Sequence, residues 1–180
     1  MKTVKKIFFV WNSKEERDFL EQKAKEGYRL VDVKFGKYIF QEEDPKNIIY
    51  QFDFKGLGKI PEDEYISFYI DTGWILACKY GGWYYFYKEI KEGESIPSIY
   101  SDNNSKKSKY KRLLGFLLLT GFPLYYQNIV MFPNMESSKL EFPKFYFFFR
   151  IIVIIVTILH LFALIKVYAV YHKISKNLKE

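Results

Sequence analysis

The sequence predicts an α+β fold: a duplicated strand-helix-strand-strand unit forming an antiparallel sheet domain, followed by a two-helix transmembrane hairpin. Three observations predict it. The pattern of residues 16–43 recurs in 62–89 at a constant offset of 46. Short aromatic and β-branched runs alternate with helical ones as far as residue 89. Beyond residue 112 come two long apolar runs, neither of which contains an acidic residue.

At the 46-residue offset Glu16 falls on Glu62, Phe19 on Tyr65, Gly27 on Gly73, Leu30 on Leu76, Gly36 on Gly82, Tyr38 on Tyr84 and Phe40 on Phe86. The copies occupy 6–43 and 47–89 of a cytoplasmic domain placed at 1–92. In the first copy the aromatic run 6–11 predicts a strand. Ser13 and Glu16 have capping-box spacing at the start of a helix whose apolar side is Phe19, Leu20 and Ala24, with Gly27 as its stop. Tyr28 to Lys34 and Lys37 to Gln41 then read as a hairpin turning at Gly36. In the second copy Ile48, Tyr50, Phe52 and Phe54 alternate with Ile49, Gln51 and Asp53, the period of a half-buried strand. Pro61 suits the first turn of a helix with Tyr65, Ile66 and Tyr69 on its apolar side, and a second hairpin turns at Gly81-Gly82. Six strands and two helices predict one antiparallel sheet with both helices on one face.

Composition narrows the function. With 180 residues, 49% hydrophobic and 21% aromatic, the chain is not intrinsically disordered. Residues 1–105 carry 16 basic against 18 acidic residues, and the remainder 12 against 3, so the overall +7 comes from the membrane flanks. That distribution argues against nucleic acid as a partner. Cys78 is the only cysteine, which excludes an intramolecular disulfide framework and a thiolate metal site. The only histidines are His160 and His172, so Ser-His, Cys-His and zinc-hydrolase chemistry are absent from residues 1–105. Asp32, Asp53 and Asp71 would act as paired acids only if burial raised one of them. The expectation is therefore a non-enzymatic protein with no cofactor and no metal.

Leu113 to Phe132 is uncharged over twenty residues, about 30 Å of helix. It is assigned as the first span (113–132), with Pro123 as a kink and Gly115 and Gly121 as points of close helix approach. The second span (145–171) contains the block Ile151 to Leu159, then His160 near mid-bilayer, with Arg150 and Lys166 as snorkelling anchors. His160 can bond to Thr157 of its own helix, or to Thr120 or Gln127 of the other. A basic linker (93–112), an external loop (133–144) and a cytoplasmic tail (172–180) complete the plan. Five cations in 106–112 and three in the tail, against Lys139 and Lys144 in the loop, place both termini in the cytoplasm of a multi-pass protein of the cell membrane. The lipid bilayer is thus one expected partner.

Candidate binding residues come from the aromatic surplus. Tyr38, Phe40, Trp83, Tyr84, Tyr85 and Phe86 cannot all point beneath helices covering one face of one sheet, so some are expected to line a cleft between the copies. The set W-x-x-x-E-E-R-x-F-L (Trp11 to Leu20), A-K-E-G-Y-R-L (Ala24 to Leu30), Y-Q-F-D-F (Tyr50 to Phe54), D-T-G-W ending at Trp74 and G-W-Y-Y-F (Gly82 to Phe86) resembles the domain-of-unknown-function family 2812 (DUF2812) over roughly residues 5–90. That resemblance implies a Gram-positive, membrane-associated component of a regulatory or stress-response system, often encoded beside PadR-type regulators, and transfers no site residue. At the level of fold the doubled pattern is also similar to the effector-binding domains of GyrI-like regulators, which implies a small lipophilic ligand between the copies. The expected function is a membrane-anchored sensing or protein-interaction domain. The alternative is an accessory subunit of a membrane transporter or envelope complex, contacting a membrane protein partner through Gly115, Gly121 and His160.

Overall fold

The computed structural model describes residues 1–56, 60–91, 103–135 and 142–176, and for 103–105 only the backbone. The first copy forms β1 (Lys2–Lys5), α1 (Ser13–Lys25), β2 (Tyr28–Lys34) and β3 (Lys37–Glu42). The second forms β4 (Ile48–Phe54), α2 (Glu62–Ile70), β5 (Ile75–Tyr80) and β6 (Trp83–Glu89). Each copy builds its own three-stranded antiparallel sheet, ordered β1-β3-β2 and β4-β6-β5. The duplication extends to irregularities. The register slips between Leu30 and Asp32 in one sheet and between Leu76 and Cys78 in the other, at the same offset. Positive φ recurs likewise, at Gly27 and Gly73 (84° and 80°) and at Gly36 and Gly82 (65° and 84°).

The expected single six-stranded sheet is thus corrected to two sheets, and the helices do not share a face. α1 lies against both β2 and β4, so it bridges the copies. Leu20 and Ala24 of α1, Leu30 and Phe40 of the first sheet, and Tyr50, Phe52, Tyr85 and Tyr87 of the second form one buried core. α2 covers the reverse face of the second sheet, where Tyr65 and Tyr69 pack on Ile49, Tyr84, Phe86 and Trp74. β4 is therefore buried on both faces and not half-buried. Full burial of Leu20, Leu30, Phe40 and Phe86 contributes about 1.5–3 kcal/mol each.

Two local expectations also fail. The first strand is Lys2–Lys5, not 6–11, because the ladder ends where the Lys6 amide bonds to the Gly36 carbonyl at 3.1 Å and the chain turns into a 3-10 turn at Val10–Asn12. The capping box does not form. Asn12 sits at the cap without a side-chain bond, and Glu16 turns into the protein.

α3 (Asn103–Tyr126) runs through a π-helical stretch (Gln127–Met131) into the short α4 (Phe132–Asn134), and α5 (Pro143–Lys176) returns beside it. The predicted linker is thus already helical from Asn103. Lys106–Asn134 and Pro143–Lys176 are each long and apolar enough to cross a membrane. Lys139, Lys179, most of the external loop and the first part of the linker lie outside the described residues. Val153, Thr157 and Val167 form the buried stripe of α5. Asn128 donates to the Thr157 hydroxyl at 2.8 Å, and His160 meets the Tyr125 hydroxyl at 2.8 Å and, more loosely, Thr120 at 3.4 Å. Of the partners anticipated for His160, Thr120 is present, whereas Tyr125 stands where Thr157 or Gln127 was expected. Arg150 lies over the Phe132 ring at 5.8 Å and Lys166 over Phe162 at 5.4 Å, both within the hairpin.

Only Gly121 serves close approach: a Cβ there would stand 2.6 Å from His160 and 2.8 Å from Tyr125, whereas at Gly115 it would meet nothing within 4 Å. Gly121→Ala is therefore expected to destabilise the hairpin by about 1–3 kcal/mol through overpacking. Gly115→Ala should leave it unchanged, as read by thermal unfolding of both variants in detergent.

Candidate functional site: a glutamate-lined cavity beside the root of α3

Among the described strands β4 lies at the edge of its sheet, with the polar groups of Tyr50, Phe52 and Phe54 on the side away from β6. Helices supply partners on that side. The Tyr50 amide donates to Glu21 of α1 at 3.2 Å. The Phe52 carbonyl accepts from Lys109 Nζ at 2.9 Å, and the Phe54 carbonyl from Arg112 Nε at 2.8 Å. Lys109 and Arg112 are three residues apart, so they share the face of α3 that meets the strand.

Beside them Asp53 is 1% exposed. Its Oδ2 accepts from the Tyr65 hydroxyl at 2.6 Å, the Tyr69 hydroxyl at 2.7 Å and Arg112 Nη2 at 2.8 Å, while Oδ1 accepts from the same Nη2 at 3.1 Å. Burial alone would raise the carboxyl, but Arg112 and the two hydroxyls outweigh it and hold Asp53 below its ordinary value. It is an ionised anchor, not the protonated member of an acid pair. Around this anchor Phe54 packs with Tyr110, Leu113 and Val167, so the domain is seated on both long helices.

On the other face of the second sheet a cavity of about 170 Å³ opens between the copies. Glu16, Val33, Tyr38, Phe52, Trp83 and Tyr85 line it. Glu16 Oε1 accepts from the Tyr38 hydroxyl at 2.6 Å and from the Tyr85 hydroxyl at 2.9 Å, joining the first copy to the second. Burial raises the Glu16 carboxyl above its ordinary value, against the opposing pull of the two hydroxyls and Lys109. Lys109 also stands over the Trp83 ring at 5.3 Å, so the wall of the cavity is also the socket of α3. Cys78 is buried with its thiol pushed up to about 12, which makes it inert. Among the described residues no three metal-ligating side chains come together.

A family model for a protein of unknown function, DUF2812, matches residues 12–122. The chain belongs to the DUF2812 family. No curated protein and no solved structure matches it. The matched DUF2812 region reaches past residue 90 into the first long apolar helix, so it takes in Asp53, Lys109, Arg112 and the cavity lining from Ser13 onward, while the lining residues 6–10 precede it.

The six aromatic candidates of this DUF2812 chain divide three ways. Tyr38, Trp83 and Tyr85 line the cavity. Phe40 is fully buried with an edge against Phe19 at 6.0 Å. Tyr84 and Phe86 face the opposite way, under α2. The surplus is thus absorbed by two covered faces, with a small cavity in place of a long cleft. The residues missed were Glu16, taken for a cap, and Lys109 and Arg112, taken for topology signals. A clue to Glu16 lay in the repeat. Glu16 pairs with Tyr38, and its counterpart Glu62 pairs with the counterpart Tyr84 at the surface.

Asp53→Asn leaves the hydroxyls of Tyr65 and Tyr69 with an acceptor but removes the charge facing Arg112, and is expected to cost about 3 kcal/mol. Because folding depresses Asp53, its contribution is complete above the ordinary value of 3.8 and is lost as pH falls through the lower folded value. Unfolding of the full-length protein followed against pH should show this acid loss in the wild type and not in Asp53→Asn.

Proposed function

We propose that this protein is a non-enzymatic sensor anchored in the cell membrane, with both termini in the cytoplasm, whose cavity takes a small apolar ligand bearing a cationic or hydrogen-bond-donating group. The observation that carries the reading is the double use of Phe52 and Trp83, which line the cavity on one side and hold Lys109 of α3 on the other. A ligand that repacks the Trp83 ring, or shifts strand β4 and with it the Phe52 carbonyl, alters the seat of the membrane helix, the kind of two-state element that binding can bias. Glu16 is the polar group that orients the ligand, and the aromatic lining supplies apolar and cation–π contact. The volume is below the roughly 300–1,000 Å³ of drug-sized sites, so the ligand inserts a single ring or short chain. A place in a regulatory or stress-response system is part of the same proposal and rests on the family resemblance alone.

The accessory-subunit alternative receives less support, because two of its three contact residues, Gly121 and His160, pack on each other inside the hairpin, and Gly115 is left open.

Benzylamine titrated against the full-length protein in detergent, followed by calorimetry, tests the sensor reading. Saturable binding is expected, weakened about tenfold, or 1.4 kcal/mol, by Glu16→Gln. It should be unaffected by Glu62→Gln at the repeat-equivalent surface position. Affinity should rise with pH as Glu16 ionises through its raised folded value, since only the carboxylate attracts the ammonium. Binding that is insensitive to Glu16→Gln would place the ligand elsewhere and defeat the proposal.

A further inference from the structure

We propose that one corner of the domain, formed by Ile7, Phe9, Trp11 and Phe35, is seated in the interfacial layer of the bilayer that the hairpin crosses. The inference rests on the hairpin spanning a membrane, and it is independent of whether the cavity binds a ligand.

Three of the four side chains are large, apolar and exposed, and Trp11 is half-buried beside them. Phe35 is 81% exposed, Ile7 62% and Phe9 55%. They are also adjacent. The bond from the Lys6 amide to the Gly36 carbonyl holds Ile7 against the β2–β3 turn, where a Cβ at Gly36 would lie 3.4 Å from the Ile7 side chain. Phe9 stacks on Trp11 with ring centres 5.0 Å apart. A cluster of this kind on a soluble surface marks an interaction site.

Position identifies the occupant. Trp11 sets its edge against Phe162 of α5 at 5.6 Å. Phe162 precedes Lys166 by four residues, about 6 Å of helix toward the uncharged block of the span. Lys166 is the first charge after that block, and Arg112 is the last charge before the uncharged stretch of α3. The Trp11 ring thus lies on the apolar side of the charged boundary, the level at which tryptophan anchors membrane proteins.

Charge agrees with a lipid surface. Lys5 lies directly opposite Lys37, and Lys37 directly opposite Lys34, at the end of the first sheet that carries Phe35. All three are exposed. Like charges in register oppose sheet formation, and the acidic partner here is Asp32, 3.6 Å from Lys34. Anionic headgroups around an inserted apolar tip would relieve that repulsion, the arrangement of an interfacial anchor.

Site-directed spin labelling of the full-length protein in phosphatidylcholine–phosphatidylglycerol vesicles tests this. Native Cys78 is buried, and the unsubstituted chain measures its background labelling. Labels at Phe35→Cys and Phe9→Cys are expected to collide with oxygen in preference to a water-soluble nickel chelate. Their chelate accessibility should be at least about threefold below that of Asp44→Cys, at the far end of β3. Ile155→Cys, exposed on the middle of α5, reports whether the hairpin itself is in lipid. Chelate access at residues 9 and 35 equal to that at 44, with Ile155→Cys protected, would overturn the anchoring proposal alone. Chelate access at Ile155→Cys would overturn the membrane reading on which it rests.

Discussion

The buried carboxylate of Asp53 fixes how the two halves of the molecule fit together. It lies on an edge strand, is almost fully buried, and takes hydrogen bonds from α2 and α3 at once. A carboxylate so desolvated is tolerable only with a cation beside it, and that cation comes from the end of a helix long enough to cross a membrane. The same helix closes the open edge of β4 through Lys109 and Arg112. An unpaired strand edge would otherwise invite pairing with another chain. The sheet domain and the hairpin are therefore mutually dependent, and the basic stretch before the first apolar run has a structural task beyond any attraction to lipid.

Duplication explains the architecture, and departure from symmetry explains the site. Both copies place a glutamate of their helix against a tyrosine of their last strand. In the second copy α2 lies on the outer face, so Glu62 is at the surface, where Lys79 joins it. In the first copy α1 is drawn across to β4, so Glu16 is enclosed between the sheets and recruits Tyr85 of the other copy. The same local chemistry thus yields a surface ion pair in one copy and a buried, protonation-sensitive group in the other. What separates the two glutamates is the environment into which each helix places its carboxylate.

The repeat, the hairpin turns at Gly36 and Gly82 and the two apolar helices were all legible in the sequence, because period, turn chemistry and length are local signals. What was not legible depends on distant partners. Alternation along β4 predicts one buried face, and nothing local tells that α2 covers the second. Ser13 and Glu16 have the spacing of a cap, but Glu16 gains two hydroxyl donors by turning inward, and a local motif yielded to tertiary contacts. Lys109 and Arg112 sit in a run that satisfies a topology rule, so their second use appears only when β4 is seen at the edge of the described sheet. Tyr84 and Tyr85 are consecutive in a strand and must face opposite ways, a constraint that already divided the aromatic candidates before any contact was known.

The cavity, the apolar corner and the root of α3 are contiguous. Ile7, Phe9 and Phe35 form part of the cavity's lining, and Phe52 and Trp83 form its wall toward α3. If both proposals hold, a molecule entering from the lipid side would pass the apolar corner, reach Glu16 and meet Phe52 and Trp83, whose backbone carbonyl and ring respectively hold Lys109. Such a path favours compounds that partition into membranes, since their concentration there exceeds that in solution and their desolvation is already complete. It also sets a limit on the signal. The Asp53 carboxylate faces away from the cavity and Glu16, so its contact with Arg112 does not touch the cavity lining directly. The helix root is therefore expected to pivot about a fixed ion pair, with Lys109 as the part that moves, and not to detach.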